Sequence, residues 1–344
     1  MRSGPGLTSP EVVMNEKTSA QAESDYETKN RIIKECLSSD KKRVDLNLTM
    51  AATIAREVYD LSLARVLLVP HLIDQGKSPV FDGDSGPVVV VNLVQEEKRV
   101  LECRAFRDSL REEERVTTVR DIDFVPMRGR VRPASFTLSN VCTLRWPDLN
   151  GNAYSMVERS RQRLLRSLAT DETTVAIRAL SWVCRRFGKS FWVRDSRLAQ
   201  PAIRAAALRV GLDRNPVILS SPMALAGALS GKFFKPLASG FEKPTAPIAT
   251  FKVEDDRSIP VYVDGSVPPN SIFVVPSGES LGQLPIFIEP QVLDYDKPER
   301  LIKGWLCYQD QGMVFVNVRL TNTVYFGWKG LIDMVKNVLT RGIA

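Results

Sequence analysis

Residues 259–326 read IPVYVDGSVPPNSIFVVPSGESLGQLPIFIEPQVLDYDKPERLIKGWLCYQDQGMVFVNVRLTNTVYF, and this stretch decides the fold. The runs IPVYV, SIFVV, LPIFI and MVFVNV alternate with the turn words VDGSVPPN, PSGES and DKPE. β-Branched and aromatic side chains fit a pleated, half-buried surface, while Gly, Pro, Asn and Asp bend the chain between such runs. A train of short strands is therefore expected. The segment is poor in His, Cys and clustered carboxylates. That combination points to a protein that makes shape, not to an enzyme.

Working outward, the whole chain of 344 residues is long enough to bury a core and to form two or three subdomains. Its formal charge of +7 permits contact with nucleic acid without requiring it. The five cysteines, Cys36, Cys103, Cys142, Cys184 and Cys307, stand singly, with no CxxC or metal-ligand spacing. The expectation is a reducing site of folding and no disulfide framework. No apolar run approaches the roughly 20 residues that span a bilayer. The first 30 residues lack the apolar core of a signal peptide, so a soluble protein not exported by that route is expected.

Residues 1–45 are polar and rich in Gly, Pro, Ser and charge, which predicts either a floppy tail or an arm lying on a neighbouring subunit. From Asn47 to Val69 an amphipathic helix is expected, with Ile54, Val58, Leu61 and Arg65 at helical spacing and Pro70 as its stop. The strand VVVVNLV, the charged REEER at 111–115 and an alternating block after it suggest a long two-stranded extension over about 76–130. Such a hairpin is marginal alone and must lean on something else. Trp146-Pro147 and the residues 148–151 predict a break, followed by one long helix or two in succession, closed at Gly188. Its apolar stripe holds Met156, Val157, Leu164, Leu165 and Leu168, continued by Val175, Ile177, Leu180 and Val183. The opposite face bears Arg159, Arg161, Arg163, Arg166, Arg178, Arg185 and Arg186. A strand FWVRD, a helix LAQPAIRAAALRVG and a strand–helix step NPVILSSPMALAGALSG follow, the last with Ser220 or Ser221 as N-cap and Pro222 as first helical residue. Helices first and many strands after make this an α+β chain.

The inventory for catalysis is thin. His71 is the only histidine and stands just past a helix end, where contact with last-turn carbonyls or solvent is expected. No GxSxG elbow occurs, and GKSPVFDGDSG at 76–86 lacks the ligand spacing of a calcium loop. RRFGKS at 185–190 lacks the first Gly of a P-loop and runs from helix to strand, the reverse of that motif. Asp294, Asp296 and Glu299 read as a solvated turn. Neither a catalytic residue, a cofactor nor a metal is expected. The arginine-rich helix face is either an ordinary solvated face, a surface for phosphates or a source of ion pairs between subunits.

The order of these pieces over residues 48–326 resembles the major capsid proteins of tailed bacteriophages, the Hong Kong 97-type shell fold shared with encapsulins. PVILSSPMALAGAL is similar to the strand–helix step of the axial domain in that family. PVYVDGSVPPNSIFVVPSGESLGQLPIFIEPQVLDYD resembles its strands and turns near the end, and GMVFVNVRLTNTVYF its final strand. The resemblance implies an N-terminal arm over 1–47, an N-terminal helix over 48–75 and an extended β-hairpin loop over 76–130. It further implies a peripheral domain with a spine helix over 131–197, an axial domain over 198–247, and a β-rich return with a C-terminal helix over 248–344.

The function so implied is a capsid or head protein of the virion. It would assemble in the host cytoplasm as pentamers and hexamers of an icosahedral shell around double-stranded DNA. Arg159, Arg163 and Arg166 would face packaged DNA phosphates, and Lys98, Arg99, Arg111, Glu112, Glu113 and Glu114 would make inter-subunit contacts in the extended loop. Scaffolding, portal and decoration proteins are the further partners such a shell uses, and no membrane is implied. Some members crosslink a loop lysine to a neighbouring asparagine; Lys98 occupies a candidate position, but no partner for it can be read and the activity is not carried over. The rivals are an encapsulin-like compartment holding protein cargo, another virion component such as a tail or portal protein, and a hydrolase built on Ser and Asp groups.

Overall fold

The computed structural model describes residues 16–73, 80–81, 87–94, 121–127, 132–195, 198–228, 234–237, 245–254, 256–296 and 302–341. The helices are α1 (Glu16–Ser38), α2 (Asp40–Leu61), α3 (Leu63–Leu67), α4 (Trp146–Arg186), α5 (Gln200–Val210), α6 (Pro222–Ala228) and α7 (Gly327–Arg341). The first four strands are β1 (Val69–Leu72), β2 (Val88–Val94), β3 (Asp121–Met127) and β4 (Phe136–Arg145). After α4 come β5 (Lys189–Val193), β6 (Val217–Ser220), β7 (Phe234–Pro236), β8 (Ala249–Lys252), β9 (Ser258–Val263) and β10 (Ser271–Val275). The chain continues with β11 (Gly282–Asp294), β12 (Ile302–Gln311), β13 (Val314–Phe315) and β14 (Asn322–Phe326). The mixed helix-and-sheet class expected from the sequence is the one observed.

The strand train divides between two sheets. The first has the order β3-β2-β13-β11-β12-β4, with β1 added in parallel beside β11. Its long members β11 and β12 run antiparallel, and β12 pairs β4 without a shift from Ile302 opposite Arg145 to Gln311 opposite Phe136. Two register shifts interrupt β11 between Ile286 and Gln291, where Pro290 removes a ladder donor. A bulge is where a sheet tolerates proline. The second sheet runs β5-β14-β10-β6-β9-β8-β7.

β6 and β10 are buried along their whole length because both faces of the second sheet are covered. Val217, Leu219, Phe273 and Val275 join the main core with α4 and the first sheet. Ile218, Ile272, Val274 and Val324 face a second core with Ile203, Ala206 and Leu225 of α5 and α6. Continuous apolar runs are the signature of strands covered on both sides. The Ser221 Oγ accepts the Ala224 amide at 3.1 Å with Pro222 next to it, which selects Ser221 as the cap of α6.

The expected extension over 76–130 appears as β2 and β3, antiparallel from Val88 opposite Met127 to Val94 opposite Asp121. Its support is β13, which pairs β2 at Val89 and Val90 and ties the hairpin into the first sheet. Val89 and Val91 reach the main core, while Val88 and Val90 pack with Phe81 and Val314. The tip, residues 95–120, lies outside the described residues, as does most of 76–86.

Three expectations change. Residues 16–38, read as tail or arm, form a helix. Ala, Gln, Lys and Glu are strong helix formers, and Ile33 and Leu37 supply just enough apolar surface to lie on the main core. The helix placed at 47–69 starts at Asp40, breaks at Ser62 and resumes as α3, so that Val69 and Pro70 already belong to a strand. Trp146-Pro147 opens a helix instead of breaking one, with proline in the first turn, where it is tolerated. The actual break is one residue further than the 148–151 step, at Asn152, with φ −145° and ψ 60°.

Candidate functional site

The long helix α4 is the element on which both sheets meet, and three polar assemblies lock the N-terminal helices to it and to β12. At its kink, the first amide of interest is that of Tyr154, an unpaired donor of the helical turn that begins after Asn152. Asn30 of α1 accepts it through Oδ1 at 3.0 Å. The Tyr26 hydroxyl donates to Asn152 Oδ1, and its ring meets Tyr154 edge-on at 6.1 Å. α1 thus caps the principal part of α4 from outside.

The second assembly is buried. Arg65, in the middle of α3, directs Nε to Glu172 Oε1 at 2.8 Å and Nη2 to Oε2 at 3.1 Å. The two side chains are 2% and 0% exposed. Ser62 donates to Glu172 at 2.6 Å, and Gln309 of β12 donates to its other oxygen at 2.8 Å. The break at Ser62 exists for this contact: it frees the Ser62 hydroxyl and the Leu63 amide, which Thr173 Oγ1 accepts at 3.1 Å. Partners compensate most of the hydration this buried pair gives up: both Glu172 oxygens are bonded, while Arg65 Nη1 has no hydrogen-bond partner. Helix, spine and sheet are therefore held at one point.

The third assembly gives Asp294 and Asp296, read as part of a solvated turn and still exposed, a shared partner. Arg43 of α2 contacts Asp294 at 2.7 Å and Asp296 at 2.5 Å. Asn47 donates to Asp294 at 2.7 Å and accepts the Trp305 indole N–H at 3.1 Å. Glu299 lies outside the described residues. Burial works upward on the Asp296 carboxyl, but the Arg43 hydrogen bond and charge, with the Gly304 amide, hold it below the ordinary carboxylate range. Its folded pKa is thus under the unfolded one. The stabilisation is complete above the unfolded aspartate pKa of about 3.9 and is lost as pH falls through the folded value. Asp296→Asn should therefore destabilise the chain at neutral pH, and the difference from wild type in urea midpoint should shrink below about pH 4. A difference that stays constant down to about pH 2 would remove the ion pair from the account.

On the outer side of α4, Arg159, Arg163 and Arg166 are all exposed. Their i, i+4, i+7 spacing sets them in one row about 10 Å long. Of the remaining arginines of the expected basic face, Arg178 and Arg185 are exposed as well, while Arg161 and Arg186 are partly buried. Arg161 is turned into the α2 contact, held by Glu158 at 2.5 Å and Glu57 at 2.8 Å, and Glu158 with Glu57 pushes its pKa up. Arg185 donates to Ser181 of its own helix. Lys98, Arg99, Arg111, Glu112, Glu113 and Glu114 lie outside the described residues.

His71 does not cap a helix: it sits exposed in β1, opposite Pro285. α4 ends at Arg186 with Phe187 as its C-cap, and the next position must be Gly188, since a Cβ there would stand 2.6 Å from the carbonyl oxygens of Cys184 and Thr321. RRFGKS leads from that helix into β5, the wrong order for a phosphate loop. Among the described residues no group of His, Cys, Asp and Glu could hold a metal ion, and no helix is long and apolar enough to cross a membrane.

No family model matches the chain, and no curated protein sequence does. Solved structures it is similar to include capsids, a virus-like particle and an encapsulin. The capsid of cyanophage P-SCSP1u matches at 10% identity and TM-score 0.45, over 78% of this chain and 89% of that one. A virus-like particle from Pyrococcus furiosus matches at 12% identity and TM-score 0.46, over 80% and 98%. The SrpI encapsulin of Synechococcus elongatus matches at 12% identity and TM-score 0.46, over 76% and 86%.

Proposed function

We propose that this chain is a major capsid protein, the repeating subunit of an icosahedral shell that encloses double-stranded DNA. The observation that carries the reading is one layout. A helix of 41 residues spans two sheets, a hairpin leaves the outer edge of the first sheet, and a strand–helix step with its own core builds the second. That is the order of parts implied by the sequence resemblance. On this reading residues 76–130 lie over a neighbour and 198–247 gather about the shell's rotation axes. Many weak contacts then add up to a stable cage of pentamers and hexamers.

The exposed row Arg159, Arg163 and Arg166 favours nucleic acid over a protein cargo. Guanidinium groups on a rigid helix, with little aromatic interleaving, suit phosphate contact without base reading. Virion location, assembly in a host cytoplasm and use of scaffolding, portal or decoration proteins follow from the same proposal.

The test is expression of the full chain, with negative-stain microscopy, light scattering and the A260/A280 ratio of purified particles. Uniform closed shells, or discrete pentamers and hexamers, support the reading; a well-behaved monomer with hydrolase turnover overturns it. Replacing Arg159, Arg163 and Arg166 with Gln should leave particles intact and lower their DNA content. In free DNA binding the log–log salt slope should fall by up to about 3, near one unit per lost phosphate contact. Unchanged DNA retention and slope would remove the phosphate role.

A further inference from the structure

One face of α7 is left uncovered. Trp328 is 76% exposed, Ile332 52% and Val335 46%. At i, i+4 and i+7 they form a single stripe. Trp192 of β5, 39% exposed, adjoins the start of this helix, because its indole N–H donates to the Gly327 carbonyl at 2.9 Å. β5 is itself the outermost strand of the second sheet.

The outward direction of the stripe is set by the opposite side of the helix. Gly330 is buried on β14, and a Cβ there would lie 3.2 Å from Tyr325. Glycine lets α7 settle on Tyr325, and the hydrophobic stripe half a turn away is left largely exposed. This face is not surplus core surface, since the helix already has a seat.

Size and shape decide what covers it. Two tryptophans and two aliphatic side chains at these exposures present roughly 400 Å² of apolar surface. A stable independent complex needs about 800 Å² from each partner. The patch is too small to hold a separate partner and suits a contact repeated between copies, where each supports the others. Its sequence is also self-matching. Trp328 and Val335 lie symmetrically about the point between Leu331 and Ile332, so a two-fold axis there lays each Trp328 over the other copy's Val335. The largest side chain meets a small one, and each patch meets itself, as an isologous contact requires.

We propose that α7 pairs antiparallel with α7 of a second copy, across a two-fold axis between Leu331 and Ile332. The inference rests on the homo-oligomeric part of the reading above and names one of its contacts.

The experiment uses the full chain. The Ile332→Cys variant should give a disulfide-linked dimer on mild oxidation of the assembled protein, absent from wild type treated alike. Trp328→Ser combined with Ile332→Ser and Val335→Ser removes side chains that are about half exposed or more, so the circular dichroism spectrum should keep its wild-type shape. This triple variant should need at least about tenfold more subunit to assemble, as followed by sedimentation. Assembled particles of the Ile332→Cys variant that give no crosslink, or a triple variant that assembles at wild-type concentration, would overturn the pairing and leave the shell reading standing. An Ile332→Cys variant that crosslinks, in a chain that stops at dimers with or without the substitution, would uphold the pairing and overturn the shell.

Discussion

Glu172→Ala should cost the fold about 3–5 kcal/mol, the loss expected when one partner of a buried ion pair is removed and the other stays charged. Arg65 would keep its guanidinium in a site 2% exposed, with Gln309 as its remaining polar contact at 3.4 Å. Ser62 and Gln309 would each lose an acceptor in the same interior. Urea unfolding of the full chain at one fixed concentration reads the effect as a shift in midpoint. The control is Arg65→Met with Glu172→Leu, which replaces both charges by apolar volume and should recover most of the loss. A single variant within about 1 kcal/mol of wild type, or a double variant no better than the single, would show that the pair does not hold the α2–α3 junction on α4.

Trp305→Ala should be of similar size, about 3–5 kcal/mol, for a different reason. Trp305 is fully buried on β12, and its removal opens a cavity between the first sheet and α2 that backbone pairing on both sides prevents from closing. It also leaves Asn47 Oδ1 without the indole N–H. Trp305→Phe narrows the two contributions: it keeps a six-membered ring in the core but loses the indole N–H and part of the ring volume, so about 1–3 kcal/mol is expected. Equal losses in the two variants would place the energy in the hydrogen bond and not in packing.

Both residues show where sequence reading stops. Arg65 falls on the apolar stripe of Ile54, Val58 and Leu61, and an arginine in a core register is a visible sign of a buried partner. Glu172 sits in a Thr-Asp-Glu step that reads as an interruption in α4's apolar face. The sequence separation of 107 residues gives no means of joining them. Asp294 and Asp296 likewise read as solvated because Arg43, their partner, lies about 250 residues earlier, in a segment that reads as part of a polar tail. By contrast Ser221 and Pro222 can be placed as cap and first turn from their neighbours alone, since capping is decided within about four residues.

Local chemistry therefore determined most of the strands of residues 259–326, the helices 153–186 and 200–210, the two-stranded extension and the exposure of Arg159, Arg163 and Arg166. Periodicity, turn residues and caps act over a few positions, and a sequence displays them directly. Tertiary structure alone decided that the strand train is shared between two sheets, that polar residues 16–38 are a helix, and that Arg161 is a tie to α2. Those outcomes depend on which distant surfaces meet. A charged side chain reads the same in sequence whether its partner is water or a carboxylate brought in from about a hundred residues away.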